Sequence, residues 1–134
     1  MSHQVTIWHN PKCGTSRNVL EMIRASGVEP TVVEYLKTGW DRATLERLAA
    51  ATGGGMAGLM RVKGTRAEAL GLLAPDVTEA AILEAMVAEP ILVERPIVET
   101  EMGVRLCRPS ERVFDLLANP PSTFTKEDGE VVGR

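Results

Sequence analysis

The sequence predicts an α/β fold built around a mixed four-stranded sheet, and two patterns lead to this prediction. First, an apolar segment at 5–8, an amphipathic helix after Cys13 and a β-branched segment at 31–36 make a strand–helix–strand unit. Two strands joined in this way should be parallel. Second, apolar segments on both sides of Met102-Gly103 are typical of an antiparallel hairpin.

Between these two parts, from about 41 to 89, helical patterns predict an insert. Asp41 can cap a helix that ends at the glycines 53–55, and residues 56–60 indicate a short helical turn. Two further helices are predicted. The first starts with a capping box of Thr65 and Glu68 and ends at Gly71. The second starts at Asp76 or Thr78 and ends before Pro90.

The last third of the chain predicts strands followed by a closing helix. Segments 91–93, 97–99 and 104–107 have strand character, and the last two should form the hairpin. Ser110 can cap the closing helix, which completes a ββα unit. The positions of this helix that should face inward are apolar: Val113, Phe114, Leu116 and Leu117.

Together these elements predict one thioredoxin-like domain over residues 1–134. In this topology the turn after the first strand faces the start of the hairpin, so Arg95-Pro96 should lie near Cys13. The Arg95-Pro96 bond is a candidate for cis, because proline reduces the cost of a cis peptide to about 0.5–1 kcal/mol. The polar tail at about 122–134 is expected to be loosely held, although Phe124 could anchor it.

Composition excludes several classes of function. With 134 residues, 44% hydrophobic and 25% charged, the chain resembles an ordinary globular domain, and its net charge of −3 disfavours nucleic-acid binding. No apolar run approaches the roughly 20 residues of a membrane span, and no signal segment opens the chain, so we expect a cytoplasmic protein without membrane contact. Two cysteines and two histidines provide no disulfide framework and no metal-ligand spacing.

Cys13 is the first candidate for chemistry, because it lies between a strand end and a helix start. Free backbone N–H groups and the helix dipole at that position favour a thiolate and can bind an oxyanion. The alternative is a small buried side chain without a catalytic role. Since Ser16 stands where a dithiol enzyme has its second cysteine, oxidised Cys13 would need an outside thiol such as glutathione. Cys107, in the middle of a predicted strand, is interpreted as structural.

An anion at Cys13 would also need cationic partners from elsewhere in the chain, because position 19 is valine and excludes a C-x5-R loop. Arg61, Arg95 and Arg108 lie at element boundaries and are the candidates; a surface salt bridge is the alternative for each. The remaining candidates surround the cysteine. His9 could favour the thiolate or satisfy loop carbonyls, and Asn10 and Ser16 could donate to the anion or shape the turn, while Gly14 opens the helix that supplies N–H groups.

Four segments resemble blocks of one known family, the arsenate reductases that are coupled to glutathione and glutaredoxin. The segment at 9–18, HNPKCGTSRN, is similar to their active-site segment. The segments at 91–98 and 104–111 resemble the second and third signature blocks, and 124–129 resembles the tail. The order is collinear over nearly the whole chain. Trp8 stands where tyrosine is commoner, which should not alter the reaction.

This resemblance implies a thioredoxin-like fold with a helical insert and a reaction without a bound cofactor. Cys13 would attack arsenate and form a covalent adduct. Glutathione, as co-substrate, would then attack the adduct, glutaredoxin would regenerate the enzyme thiol, and arsenite would leave. By position, the anion-binding arginines would be Arg61, Arg95 and Arg108, while His9 and Ser16 would promote the thiolate.

Two other functions are compatible with the fold. A glutaredoxin-like enzyme would reduce small glutathione mixed disulfides without arsenate. A regulator that binds RNA polymerase would commonly have C-x-x-C as a redox switch, and Ser16 argues against this role.

Overall fold

The predicted mixed sheet is present in the computed structural model, which describes residues 3–133. It contains β1 (Val5–His9), β2 (Thr31–Glu34), β3 (Ile97–Thr100) and β4 (Gly103–Leu106), in the order β2-β1-β3-β4. β1 and β2 are parallel, whereas β1–β3 and β3–β4 are antiparallel. The sequence-based predictions of the parallel unit and of the hairpin are therefore confirmed.

Two helical segments cover the core of this sheet. α1 (Gly14–Ala25) joins β1 to β2, and a 3₁₀ helix (Ser110–Leu116) follows β4. The predicted closing helix is thus present with 3₁₀ geometry, and Ser110 is not its cap, because Pro109 occupies that position. The four apolar residues predicted to face inward are buried. The core cluster consists of Val5, Ile7, Val19, Met22, Ile23, Val98, Cys107, Val113, Phe114, Leu116 and Leu117.

The chain divides into two units. The first contains the chain up to Glu34 and from Arg95 onward, and the second is Tyr35–Glu94. The second unit is helical and includes the predicted insert; whether the whole chain acts as one domain remains a prediction. Its elements are α2 (Tyr35–Thr38), α3 (Arg42–Thr52), α4 (Gly55–Gly58), α5 (Glu79–Ala88) and a 3₁₀ helix (Pro90–Leu92).

Side-chain caps begin the two longer helices of the second unit, as the sequence predicts. Asp41 accepts a hydrogen bond from the backbone N–H of Thr44, and Thr78 accepts one from Ala81. Gly53 ends α3 in the left-handed conformation, with φ of 83°. Within residues 3–133, no helix has both the length and the apolar character of a membrane span.

Three sequence-based predictions about the second unit are wrong. The second strand does not reach residue 36, because α2 begins at Tyr35, whose buried hydroxyl donates to the Val93 carbonyl. Residues 65–71 form turns, since the Thr65 hydroxyl donates to the Arg61 carbonyl and accepts from Ala67, which competes with helix formation. The segment predicted as a strand at 91–93 is largely a 3₁₀ turn that starts at Pro90.

The tail contains a hairpin that the sequence patterns do not predict. β5 (Thr123–Thr125) and β6 (Val131–Gly133) pair in an antiparallel manner, and we call the segment 123–133 the tail hairpin. Phe124 and Val132 pack against the core cluster. Phe124 is therefore the anchor that the sequence indicates.

The core predicts a stability effect at Ile23, which is fully buried on α1. Ile23→Ala should lower the free energy of unfolding by about 2–5 kcal/mol, because it removes buried methyl groups and leaves a cavity. Ile23→Val, the matched control, should cost about 0.5–1.5 kcal/mol. Urea unfolding followed by circular dichroism measures both values, and equal losses for the two variants would contradict this account of the core.

Candidate active site

Cys13 lies at the junction of β1 and α1, where it is the N-cap residue of the helix with extended backbone. A tight turn precedes it: the Cys13 N–H donates to the Asn10 carbonyl at 3.0 Å. The side-chain oxygen of Asn10 accepts from the Lys12 N–H at 3.0 Å and holds the same turn. The turn leaves the Cys13 side chain half-buried at the first turn of α1.

Two of the predicted arginines meet Cys13. Antiparallel pairing of Trp8 with Ile97 places the residues before β3 beside the end of β1, as the topology predicts. Arg108 Nη1 lies 3.7 Å from Cys13 Sγ and also donates to the Arg95 carbonyl at 3.0 Å. The Arg95 guanidinium, with Nε and Nη1 buried, hydrogen-bonds the thiol as well.

These contacts favour the ionised sulfur. Burial alone would raise the pKa of Cys13, but hydrogen bonds from Arg95, from the backbone of Ser16 and from Arg108 together lower this pKa below its ordinary value. Cys107 behaves in the opposite way, since burial in the core raises its pKa to about 12. Of the two free thiols, Cys13 therefore has the more readily ionised sulfur, and Cys107 stays protonated in the core.

His9 and Ser16, on either side of Cys13 in the sequence, form a buried hydrogen-bonded pair. His9 Nδ1 lies 2.6 Å from Ser16 Oγ, and the same hydroxyl oxygen accepts the N–H of Asn10 at 3.1 Å. Burial lowers the pKa of His9, the charge of Glu34 raises it and the charges of Arg24 and Arg17 lower it, with a net decrease. His9 is therefore uncharged at neutral pH, so it does not stabilise the thiolate by its charge. Its contact with this part of the site is the hydrogen bond to Ser16.

For Arg61 and Gly14, the other two predicted site residues, the described contacts are with residues other than Cys13. Arg61 belongs to the second unit, where its Nη1 pairs with Glu94 Oε1 at 2.7 Å and its Nε donates to the Lys63 carbonyl. Its role as a third anion-binding arginine stays a prediction. Gly14 opens α1, and a Cβ atom added there would lie 2.9 Å from Glu127 Oε1.

Sequence reasoning missed the side chains that hold this loop from outside. Arg17, near the start of α1, donates to the Pro11 carbonyl and to the Glu127 carboxylate. Glu127 lies in the tail hairpin. The one sequence signal that could have drawn attention to it is the resemblance of residues 124–129 to the tail of the family. In the part of the chain from 3 to 133, no group of three metal-binding side chains occurs.

The chain is similar to known proteins over nearly its whole length. A profile of the ArsC family matches residues 8–116. An arsenate reductase of Rhizobium meliloti (strain 1021) is 53% identical over 129 residues, 96% of this chain and 92% of the relative. One from Escherichia coli is 50% identical over the same shares of the two chains. The solved structure titled as an arsenate reductase from Vibrio cholerae superposes with a TM-score of 0.83 at 35% identity, covering 87% of this chain and 100% of that one.

These neighbours and the observed sheet order establish the thioredoxin-like α/β fold of the chain. The matched span, 8–116, contains Cys13, Arg95 and Arg108 and therefore all of the contacts that lower the pKa of the thiol.

The difference between the two thiols predicts selective alkylation. Native protein at neutral pH should take up one iodoacetamide, at Cys13, because a lowered pKa keeps the thiolate populated at pH values where an ordinary thiol is protonated. The alkylation rate should fall only when the pH drops through the lowered pKa. Peptide mass spectrometry locates the label, and Cys13→Ser should remove it. Rapid labelling of Cys107 in the native protein would contradict the assignment.

Proposed function

Because the chain belongs to the ArsC family, we propose that it is an arsenate reductase whose nucleophile is Cys13. The observation that carries the proposal is the contact of Arg108 Nη1 with Cys13 Sγ at 3.7 Å, beside the guanidinium of Arg95. A thiolate and an arsenate anion repel each other, so a site that brings them together must supply positive charge. Two guanidiniums and the N–H groups of the first turn of α1, from Gly14 onward, can supply it.

The proposed reaction starts with attack of the Cys13 thiolate on arsenic, which forms a sulfur–arsenic bond and releases one arsenate oxygen as water. The thiolate of glutathione then attacks Cys13 Sγ, which forms a sulfur–sulfur bond and breaks the sulfur–arsenic bond. When arsenite leaves, the electron pair of the sulfur–arsenic bond stays on arsenic, which is thereby reduced from As(V) to As(III). Cys13 is left in a mixed disulfide with glutathione, which glutaredoxin reduces.

An outside thiol as electron donor is supported by what surrounds Cys13. Ser16 occupies the position of a second cysteine in a C-x-x-C motif, and it is buried against His9. Cys107 is in the core, and its pKa of about 12 leaves it protonated and unreactive. Neither residue can form the disulfide that an internal mechanism requires. Dependence on glutathione and glutaredoxin would place the enzyme in the reducing cytoplasm.

The neighbouring residues have positioning roles in this proposal. His9 fixes Ser16, whose backbone hydrogen bond contributes to the low pKa of Cys13. Asn10 shapes the turn that presents the sulfur. Arg61 is retained as a third substrate-binding arginine on the strength of the family resemblance alone.

A coupled assay tests the proposal. With glutathione, glutathione reductase and glutaredoxin present, arsenate should cause NADPH oxidation, and Cys13→Ser should abolish it because no other residue replaces the nucleophile. Lack of an arsenate-dependent rate in the wild type would reject the proposal. Reduction of a small glutathione mixed disulfide without arsenate turnover would instead favour a glutaredoxin-like enzyme.

Removal of either arginine at the thiol should slow this reaction. Arg95→Ala or Arg108→Ala should each raise the barrier by about 3–4 kcal/mol, the usual cost of losing one preorganised donor to a developing anion. Arg105→Ala is the matched control, since the Arg105 side chain is half exposed and pairs with Asp115. The comparison uses kcat/KM for arsenate. Equal effects of Arg105→Ala and Arg108→Ala would contradict a specific role at the sulfur.

A further inference from the structure

The turn of the tail hairpin contacts both segments that form the thiol site. Its consecutive residues Lys126 and Glu127 point to different partners: Glu127 pairs with Arg17, four residues after Cys13, and Lys126 pairs with Glu111, three residues after Arg108. The tail hairpin therefore bridges the nucleophile-bearing loop and the arginine-bearing turn.

The contact on the Cys13 side has several bonds. Arg17 Nε donates to Glu127 Oε2 at 3.1 Å and Arg17 Nη2 to Oε1 at 2.7 Å, while its Nη1 donates to the Pro11 carbonyl at 2.9 Å. The backbone N–H of Glu127 donates to Asn18 Oδ1 at 3.0 Å. One guanidinium thus links the tail hairpin to the turn that presents Cys13.

The Glu127 carboxylate also lies close to Gly14. A side chain at this position would place its Cβ 2.9 Å from Glu127 Oε1, a distance at which one of the two must move. The tail carboxylate therefore lies directly against the residue that follows Cys13.

The contact on the Arg108 side is more buried. The side chain of Lys126 is only 10% exposed, and its Nζ lies 2.9 Å from Glu111 Oε1 and 2.8 Å from Glu130 Oε1. Phe124 anchors the same hairpin in the core. Because buried ion pairs are screened less and Lys126 pairs with two carboxylates, this attachment should be stronger than an isolated surface ion pair.

We infer that Lys126 and Glu127 are positioning residues that keep Cys13 and Arg108 at the separation observed, by clamping the two segments to one hairpin turn. The inference rests on the proposed function, because it takes Cys13 as the nucleophile and Arg108 as its partner. It assigns a role to the tail hairpin, which has no part in the proposed thiol chemistry.

Charge and position make opposite predictions at Glu127, which allows a sharp test. A carboxylate near a thiolate opposes its ionisation, and Arg17, whose charge acts on Cys13, is neutralised by Glu127. If charge alone mattered, Glu127→Gln would therefore lower the pKa of Cys13. If the clamp matters, the same substitution loosens the loop from Arg108 and raises the pKa of Cys13.

The experiment measures the pH dependence of iodoacetamide labelling of Cys13, read by peptide mass spectrometry, in the full-length protein. Glu127→Gln and Lys126→Gln should each raise the pKa of Cys13, so that the thiolate fraction below that pKa falls roughly three- to tenfold. The double variant should raise the pKa little more than the more effective single substitution, since either substitution alone already breaks the link between the two segments.

The matched control is Glu84→Gln. Arg42 of α3 donates to Glu84 of α5 through Nε and Nη2, the same two-bond pattern as Arg17 with Glu127, in the second unit. This variant should leave the pKa of Cys13 unchanged. An unchanged or lowered pKa in Glu127→Gln, with a native circular dichroism spectrum, overturns the inference even if Lys126→Gln fails to fold.

The readout also separates this inference from the proposed function. A raised pKa in the clamp variants supports the clamp even if the wild type has no arsenate-dependent turnover, which would reject only the function. Full turnover in the wild type with no pKa change in Glu127→Gln rejects only the clamp.

Discussion

The site depends on an electrostatic constraint: a half-buried sulfur is ionised only where its negative charge is matched within a few ångströms. Burial by itself would favour the neutral thiol, and the Arg95, Arg108 and Ser16 contacts reverse that preference. The two arginines come from a distant part of the chain, and Cys13 and Arg108 are 95 positions apart. The fold is therefore the means by which charges of opposite sign are brought together.

The sheet topology explains how Cys13, Arg95 and Arg108 come together. A parallel β1–β2 pair puts the end of β1 and the start of α1 at one edge, and antiparallel β3 begins at the same edge. The hairpin then returns β4 to that edge, where Arg108 follows it. The carbonyl of Arg95 orients Arg108, so the two arginines form one assembly.

Much of this could be predicted from the sequence because it follows from local patterns and topology. The strand before Cys13, the parallel unit, the final hairpin and the proximity of Arg95 all have signals of hydrophobic period, turn chemistry or connection rules. Local reasoning failed where competing bonds were equally local, as at Thr65, whose hydroxyl supports a turn. It also failed for Arg17 and Glu127, because no local pattern of hydrophobic or turn residues indicates an ion pair between residues 110 positions apart.

The contrast between the two cysteines has a consequence for oxidative stress. The contacts that lower the pKa of Cys13 also make it susceptible to hydrogen peroxide, which converts thiolates to sulfenic acids. Cys107, protonated in the core, can neither be attacked nor condense with that sulfenic acid. A small soluble thiol would then have to form a disulfide with the oxidised Cys13 before further, irreversible oxidation. If glutathione is the co-substrate, it would therefore also protect the enzyme between catalytic cycles.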